Sequence, residues 1–290
     1  MVKENLAQPP LLPHGRASHN QYVYDLRVEP FNIIGDTYYV GDLFCSSYLI
    51  DTKEGLILLD TPFSPSAYLV IQSIWELGFN PVNIKYIIHS HGHADHYGCT
   101  VPFMNLSGCK TVMGEHDARQ LKEWTEIGHP KHWGYCFDSF VPDIWLKDGD
   151  TFNFGSFSMR AIHVPGHSPG AMAYFWEETE NGKSYTCGTF GGTGFNTLSH
   201  QYCKEHNVPE DIREEFIRSL DKVRNEKVDV HIGNHAYQSF TFEKQALKKQ
   251  GSTSENPFID PKEWPWFVDK TKEAYLIYME EDDKTWKEDR

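Results

Sequence analysis

Residues 89–98 read HSHGHADHYG, four histidines and an aspartate within eight positions. That density constrains the fold more than any other stretch. KYIIHS, leading into it, is a short apolar strand, so the cluster sits where a strand of an α/β sheet ends and side chains can converge on a cleft. On a tight loop leaving a strand, alternate residues project to the same side. The neutral imidazoles of His91 and His93 can therefore share one divalent ion, while Asp95 and His96 address the other flank. A carboxylate beside an imidazole is what a second ion, about 3.5–4 Å from the first, would need.

The rest of the chain supplies a large core around such a loop. It has 290 residues, 39% of them hydrophobic, with no low-complexity tract and no fixed-period repeat. From Phe31, FNIIGDTYYVGD, CSSYLIDT and GLILLDTPF are short strands parted by turn signals, an antiparallel meander. Ser66 to Leu77 has helix-spaced Leu69, Val70, Ile74 and Leu77, stopped by Gly78. KTVMG is a strand and EHDARQLKEW a helix. Thr125 to Trp145 is aperiodic and aromatic, either a lid or a surface loop tucking Trp133, Tyr135, Phe137, Phe140 and Trp145 onto the core. The second half repeats the pattern with DGDTFNFGSFSMRAIHVPG, GAMAYFWEE, an Asn181-Gly182 turn and KSYTCGTF. A helix from Pro209 to Arg224 follows, with Ile212, Phe216, Leu220 and Val223 along one face. VDVHIGNH is a last strand, and a final helix runs from Asp260, with Asp260 as N-cap and Pro261 in the first position. Two such halves predict two sheets face to face with helices outside.

Tetrahedral sites need ligands from beyond the cluster. His167 in VPGHSPG follows the strand MRAIHV after Pro165 and Gly166 force a turn, and His235 in HIGNHA stands in the same relation to VDVHIG. Three strand ends thus deliver histidine. His89, His163 and His231 lie within strands just ahead of these positions and either brace ligands or are strand residues with satisfied rings. His14, His19, His116, His129, His132, His200 and His206 fall in helices or loops, where solvated surface is the default.

Between about Phe31 and Phe242 the chain resembles the metallo-β-lactamase superfamily, through SSYLIDTKEGLILLDTPF, HGHADH, a DGD…PGHSPG segment and a late GNH. The resemblance implies a four-layer αβ/βα sandwich of two mixed β-sheets flanked by helices, with a dinuclear metal site at one edge. It assigns His91, His93 and His167 to one metal and Asp95, His96 and His235 to the other, as two Zn2+ per chain with Fe or Mn as alternatives. Most hydrolases of the superfamily, glyoxalase II-like enzymes and lactonases included, bridge their metals with an aspartate in a Gly-Asp-Thr motif. Here CGTF sets Gly188 where that aspartate would be. Without the bridge the site resembles the β-lactamase subclass with three histidines at one zinc and Asp/His/His at the other. Thr189 then takes the place of that subclass's serine near the second metal, and Cys187 is not a ligand.

A zinc ion on three imidazoles lowers the pKa of its water to about 7, so hydroxide is available without a Ser or Cys nucleophile. Asp95 would orient it and is the catalytic candidate. Asp60, closing LILLD, reads as an acceptor holding the histidine loop or equally as a turn cap. Phe63, Trp133, Phe190 and Tyr237 are candidates for the substrate wall, and equally for the core. The expected activity is opening of a cyclic amide such as a β-lactam. A lactonase, thioesterase or other ester hydrolase is the alternative, and a non-catalytic metal-binding or iron redox protein the third reading.

With 27 basic against 41 acidic residues and a formal charge of −14, nucleic acid is excluded as a partner, and cationic or neutral small molecules are favoured. Six scattered cysteines with no C-x-x-C pair read as reduced thiols. No stretch reaches the about 18 apolar residues of a membrane span, and no signal-like run opens the chain. These features read as a cytoplasmic protein, with a removed leader as the alternative; oligomeric state stays open. The expected division is an N-terminal extension (1–28), a catalytic domain (29–250) and a C-terminal helical segment packed on it (251–290).

Overall fold

A computed structural model of the chain describes residues 6, 8–123, 138, 140–251 and 255–288. Strands β1 (Phe31–Ile34), β2 (Thr37–Tyr39), β3 (Tyr48–Asp51) and β4 (Leu56–Leu59) form the expected antiparallel meander. Helix α1 (Ala67–Glu76) returns the chain so that β5 (Ile84–Ile88) lies parallel to β4. Helices α2 (Ala94–Tyr97) and α3 (Thr100–Ser107) lead to β6 (Lys110–Gly114), and α4 (Glu115–Glu123) precedes β7 (Ile144–Leu146), both strands parallel again. The first sheet therefore keeps chain order, β1 to β7.

The second sheet is antiparallel through β8 (Thr151–Phe154), β9 (Phe157–His163), β10 (Met172–Glu180) and β11 (Lys183–Thr189). Asn181 and Gly182 join the last pair with φ of 53° and 75°, the two left-handed residues of a tight hairpin turn. After α5 (His200–Glu205) and α6 (Ile212–Val223), β12 (Val230–His231) adds parallel to β11, and α7 (Thr241–Gln250) and α8 (Glu263–Glu288) follow. The last helix begins at Glu263 rather than just after Asp260, because residues 261–262 make a turn first. Asp260 Oδ1 accepts the Lys262 amide at 3.1 Å within that turn, so the acid holds the turn and is not the cap of the helix.

Alternation along the strands sorts side chains into layers. Met172, Tyr174 and Trp176 of β10 face the first sheet and join Ile33, Ile57, Leu59, Ile88 and Met159 in the core between the sheets. Ala173 and Phe175 face outward to Phe216 and Leu220 of α6 and to Trp264 and Phe267 of α8. Beyond the first sheet, Leu49, Leu58 and Ile87 pack on Val70 and Ile74 of α1 and Phe103 of α3. Helix, sheet, sheet, helix is the four-layer sandwich expected. Of the aromatic stretch, Trp133, Tyr135, Cys136 and Phe137 lie outside the described residues; Phe140 and Trp145 pack with Tyr97 and Met113. Near the N-terminus, Leu12, Val23 and Leu26 cluster with Leu69 of α1. Cys45, Cys99, Cys109, Cys187 and Cys203 are buried free thiols. No helix among the described residues is long and apolar enough to cross a membrane.

The turn from β2 to β3 is built on buried Asp42. Its Oδ1 accepts the amides of Phe44 (2.9 Å) and Cys45 (2.8 Å), and its Oδ2 accepts the Ser66 hydroxyl (2.7 Å). Burial outweighs these bonds and pushes the carboxyl up to about 6. A carboxyl raised by folding binds its proton more tightly in the folded chain, so its contribution to stability falls as pH rises from about 4 to about 6. Asp42→Asn keeps the amide bonds and can donate to Ser66. It should stabilise the fold above pH 6 by about 1–3 kcal/mol and flatten the profile below, as read by urea unfolding across pH. A variant weaker than wild type at pH 7 with an unchanged profile would reject this account.

Candidate metal centre

Parallel pairing of β4 and β5 sends Asp60 and the His89–His96 loop out of the same edge of the first sheet. In the second sheet, β9 ends at His163 and β12 at His231, and the chain reaches His167 and His235 just beyond. All six ligand candidates gather there. His93 Nδ1 lies 2.9 Å from His167 Nε2, and the His91 ring centroid is 4.7 Å from that of His93 and 4.8 Å from that of His167. His96 Nε2 is 3.3 Å from His235 Nε2, and Asp95 Oδ2 is 3.6 Å from each. The His91 and His96 rings, 4.3 Å apart, join the two groups.

Four of the five imidazoles have one nitrogen tied to the protein and the other turned to this centre. His167 Nδ1 meets the Gly194 carbonyl (2.8 Å), His235 Nδ1 the Phe44 carbonyl (2.8 Å), His96 Nδ1 the Asp60 carboxylate (3.0 Å) and His91 Nδ1 the Ser90 hydroxyl (3.1 Å). A ring whose outer N–H donates to oxygen presents a bare lone pair inward. His91 Nε2 is buried with no hydrogen-bond partner among the described residues, a costly orphan unless a cation takes its lone pair. Burial pushes His91, His93 and His167 below the usual imidazole range and His235 down to about 4, which favours the neutral, ligating form. Burial works the same way on His96, but Asp95 and Asp60 outweigh it and its net shift is upward. For Asp95 burial raises the pKa, and the rings of His96 and His235 bring it down overall. The field between Asp95 and His96 thus favours positive charge. The donor set fits two metal ions.

Asp60 does hold the loop. It adopts a left-handed backbone, φ 57°, and its carboxylate accepts the Ser90 amide and the Ser90 hydroxyl, each at 2.6 Å, besides meeting His96. His89 Nδ1 braces the His96 carbonyl at 3.0 Å, and His163 Nε2 donates to the Pro169 carbonyl at 2.7 Å. His231 instead lies 3.4 Å from Glu263. Nothing in the sequence singled out Asp117 on α4. Buried, it takes the Gly92 amide (2.7 Å) and Ser168 hydroxyl (2.6 Å) on Oδ2 and the Gly170 amide (2.7 Å) on Oδ1. One carboxylate bolts the loops of both halves together. A Cβ at Gly92 would stand 2.9 Å from Asp117 Cβ, so the glycine inside His-Gly-His makes room for it. That glycine and an acid in the first turn after KTVMG were the available signal.

Several sequence expectations need correction. On β11, Cys187 faces the core between the sheets, so Gly188 faces the helices, where a Cβ would stand 2.7 Å from Val228 Cγ2 and 3.2 Å from Phe175. An aspartate at 188 would point away from the histidines. The inward position is that of buried Thr189, opposite Tyr174, whose hydroxyl donates to the His89 carbonyl at 2.8 Å. An offset of one residue changes the face. The cysteine near the histidines is Cys45, whose thiol donates to the Asp95 carbonyl at 2.5 Å and lies 3.5 Å from His96 Nδ1. Phe63 and Phe190 are core rather than wall: Phe63 packs with Tyr97, Met113 and Phe140, and Phe190 against Phe216. Trp133 lies outside the described residues. Tyr237 does line the cavity of about 390 Å³ that opens over the centre, with His91, His93, Asp95, His167 and His235.

Residues 40–180 match the family described as the metallo-beta-lactamase superfamily. A probable metallo-hydrolase of Burkholderia pseudomallei is 29% identical over 109 residues, 38% of this chain and 36% of that protein. The hydroxyacylglutathione hydrolase GloC of Haemophilus influenzae is 25% identical over 139 residues, 46% of this chain and 60% of that protein. The chain thus spans less than two thirds of the length of these relatives. Among solved structures, BJP-1, a subclass B3 metallo-beta-lactamase of Bradyrhizobium japonicum, superposes with a TM-score of 0.82 at 27% identity, covering 90% of this chain and 97% of that one. Sequence match, fold and histidine array agree: residues 40–180 match the metallo-beta-lactamase superfamily, and the chain is folded as that solved metallo-beta-lactamase is.

Proposed function

We propose that this protein is a dizinc hydrolase that opens a cyclic amide such as a β-lactam, or a related small-molecule carbonyl compound. The observation that carries the reading is the convergence of untied donors: His91 Nε2, His93 Nδ1 and His167 Nε2 on one side, and Asp95 Oδ2, His96 Nε2 and His235 Nε2 on the other. Two zinc ions bound there would acidify a water molecule for use as nucleophile at neutral pH and draw electron density from the scissile carbonyl. The carboxylate of Asp95 lies between the two histidine groups, where it orients that nucleophile and can take its proton. The Asp60 carboxylate takes the Nδ1 side of His96, which leaves Nε2 for a metal, and the carbonyls of Phe44 and Gly194 do the same for His235 and His167. No serine or cysteine nucleophile is required.

Likeness to BJP-1 over nearly the whole chain, and a threonine rather than an acid at the inward end of β11, support the cyclic amide. Likeness to GloC supports a thioester as the second reading. A panel of nitrocefin, acyl lactones and glutathione thioesters on zinc-loaded protein separates them: fastest turnover of nitrocefin is expected, and fastest turnover of a thioester or lactone replaces the first reading with the second.

Protein purified without chelator should carry about two zinc ions per chain, measured by plasma emission; a content near zero that added zinc does not restore would falsify the centre. Asp95→Asn should keep part of the zinc and lower turnover by about 10²–10⁴-fold, whereas Cys187→Ser, in the core, should leave zinc content and rate close to wild type. Full activity in the first, or loss of one zinc in the second, overturns the ligand assignment. Gly188→Asp should bury an unpaired carboxylate against Val228 and Phe175, costing about 3 kcal/mol or more, without tightening zinc in chelator competition. Tighter zinc would mean that position 188 does face the centre.

A further inference from the structure

One wall of the cavity is the segment that follows β11. Gly194, Asn196 and Thr197 line it, and α5 adds Tyr202 and His206, whose rings lie 4.1 Å apart. The same segment steadies a ligand candidate, for besides the Gly194 carbonyl at Nδ1 the Thr197 hydroxyl donates to the His167 carbonyl at 2.8 Å. Helix α5 has six residues, too few to hold a helix together in water, so its place has to be imposed from outside. What imposes it is the far end of α8. The His200 amide, first in α5, donates to Asp282 Oδ2 at 2.9 Å, and the His200 ring Nε2 lies 2.9 Å from Asp283 Oδ1. Trp286 lies flat on the same ring, with centroids 5.4 Å apart and planes at 12°, and Lys204 Nζ stands 5.4 Å from the indole. Further back along α8, Tyr275 and Tyr278 meet Phe195 at 5.2 and 5.6 Å. Both acids are anchored in turn by buried Arg213 of α6, whose Nη2 is 3.1 Å from Asp282 and 2.9 Å from Asp283, and whose Nη1 meets the His200 ring. Among the described residues, none of α8 lines the cavity itself.

We propose that the end of α8 is a strut for the cavity wall, in which Asp282 and Asp283 are positioning residues that set substrate binding through α5 rather than through the metal centre. The proposal rests on the hydrolase reading above. Hydrogen bonds between ionised partners are the strong ones, and here they join three helices at the back of the wall. The histidine loop is held separately, by Asp60 and Asp117. Leu198, between Thr197 and α5, is rooted in the core with Phe190 and Phe216, so the hold on His167 survives a loosened α5. Releasing the strut therefore displaces Tyr202 and His206 while the ligands stay in place, which weakens binding of substrate and spares the chemical step.

Steady-state kinetics with the fastest substrate of the panel, and hydrogen exchange read by mass spectrometry on the same zinc-loaded full chain, test this. Asp282→Ala combined with Asp283→Ala should raise KM about tenfold with kcat within about twofold of wild type and zinc content unchanged. The amides of residues 200–206 should exchange about tenfold faster or more, while those of β9 to β11 keep their protection. Trp286→Ala, which leaves Arg213 paired, should act in the same direction to a smaller degree and serves if the double variant does not fold. Asp283→Glu should stay near wild type. Unchanged exchange in both variants overturns the strut, as does an unchanged KM, including a fall in kcat alone, which is what a smaller folded fraction would give. If wild type turns over nothing in the panel, the hydrolase reading falls, and faster exchange confined to 200–206 leaves the strut standing; turnover by wild type, with exchange and KM unchanged in the variants, does the reverse.

Discussion

A buried carboxylate must be saturated with donors or it destabilises the fold, and Asp60 meets this demand in a way that fixes everything around it. Its oxygens are occupied by the Ser90 amide, the Ser90 hydroxyl and the His96 ring. The entry and the far end of the histidine loop are therefore held by one side chain, which itself sits on a strained left-handed residue. Asp117 applies the same logic between the sheets, tying the amides of Gly92 and Gly170 and the hydroxyl of Ser168 to one group. Neither carboxylate needs an ion to do this. The ligand shell is set by protein groups alone, which lowers the ordering cost of binding metal.

Elements were legible in the sequence wherever a local period decided them. Alternation marked the strands, the spacing of Ile212, Phe216, Leu220 and Val223 marked α6, and His-Gly-His-Ala-Asp-His marked the loop. What stayed hidden is what joins distant parts of the chain. His235 is oriented by a carbonyl 191 residues away, and His167 by one 27 residues away; a backbone carbonyl has no sequence signature, because every residue carries one. Asp117 was invisible for a related reason, since its partners are two amides and a hydroxyl on other loops. Cys45 looked like any scattered thiol until folding laid it beneath His96.

The error at Gly188 has a different origin. In a motif of four residues, two adjacent positions compete for the inward face, and composition does not choose between them. Register does: Cys187 pairs with Trp176 and Thr189 with Tyr174, and those partners face the space between the sheets. Phe63 and Phe190 failed as wall candidates on the same ground, for an aromatic residue beside a ligand loop fits either side of it. Tyr237 reaches the cavity because the short turn after His235 carries it past the sheet edge.

These features bear on how the centre and the fold share stability. His91 Nε2 has no hydrogen-bond partner among the described residues, a cost that a bound cation would relieve, so affinity for metal is partly recovered strain; at His96 a metal must instead displace the proton that the neighbouring carboxylates favour. The supports that position the rings, by contrast, are complete hydrogen bonds within the protein. A change at a ligand such as His167 therefore removes affinity while leaving the loop in place, whereas a change at Asp60 or Asp117 frees the loop and reaches every ligand on it. Control of the metal centre accordingly lies as much in two carboxylates that touch no substrate as in the six side chains that face the cavity.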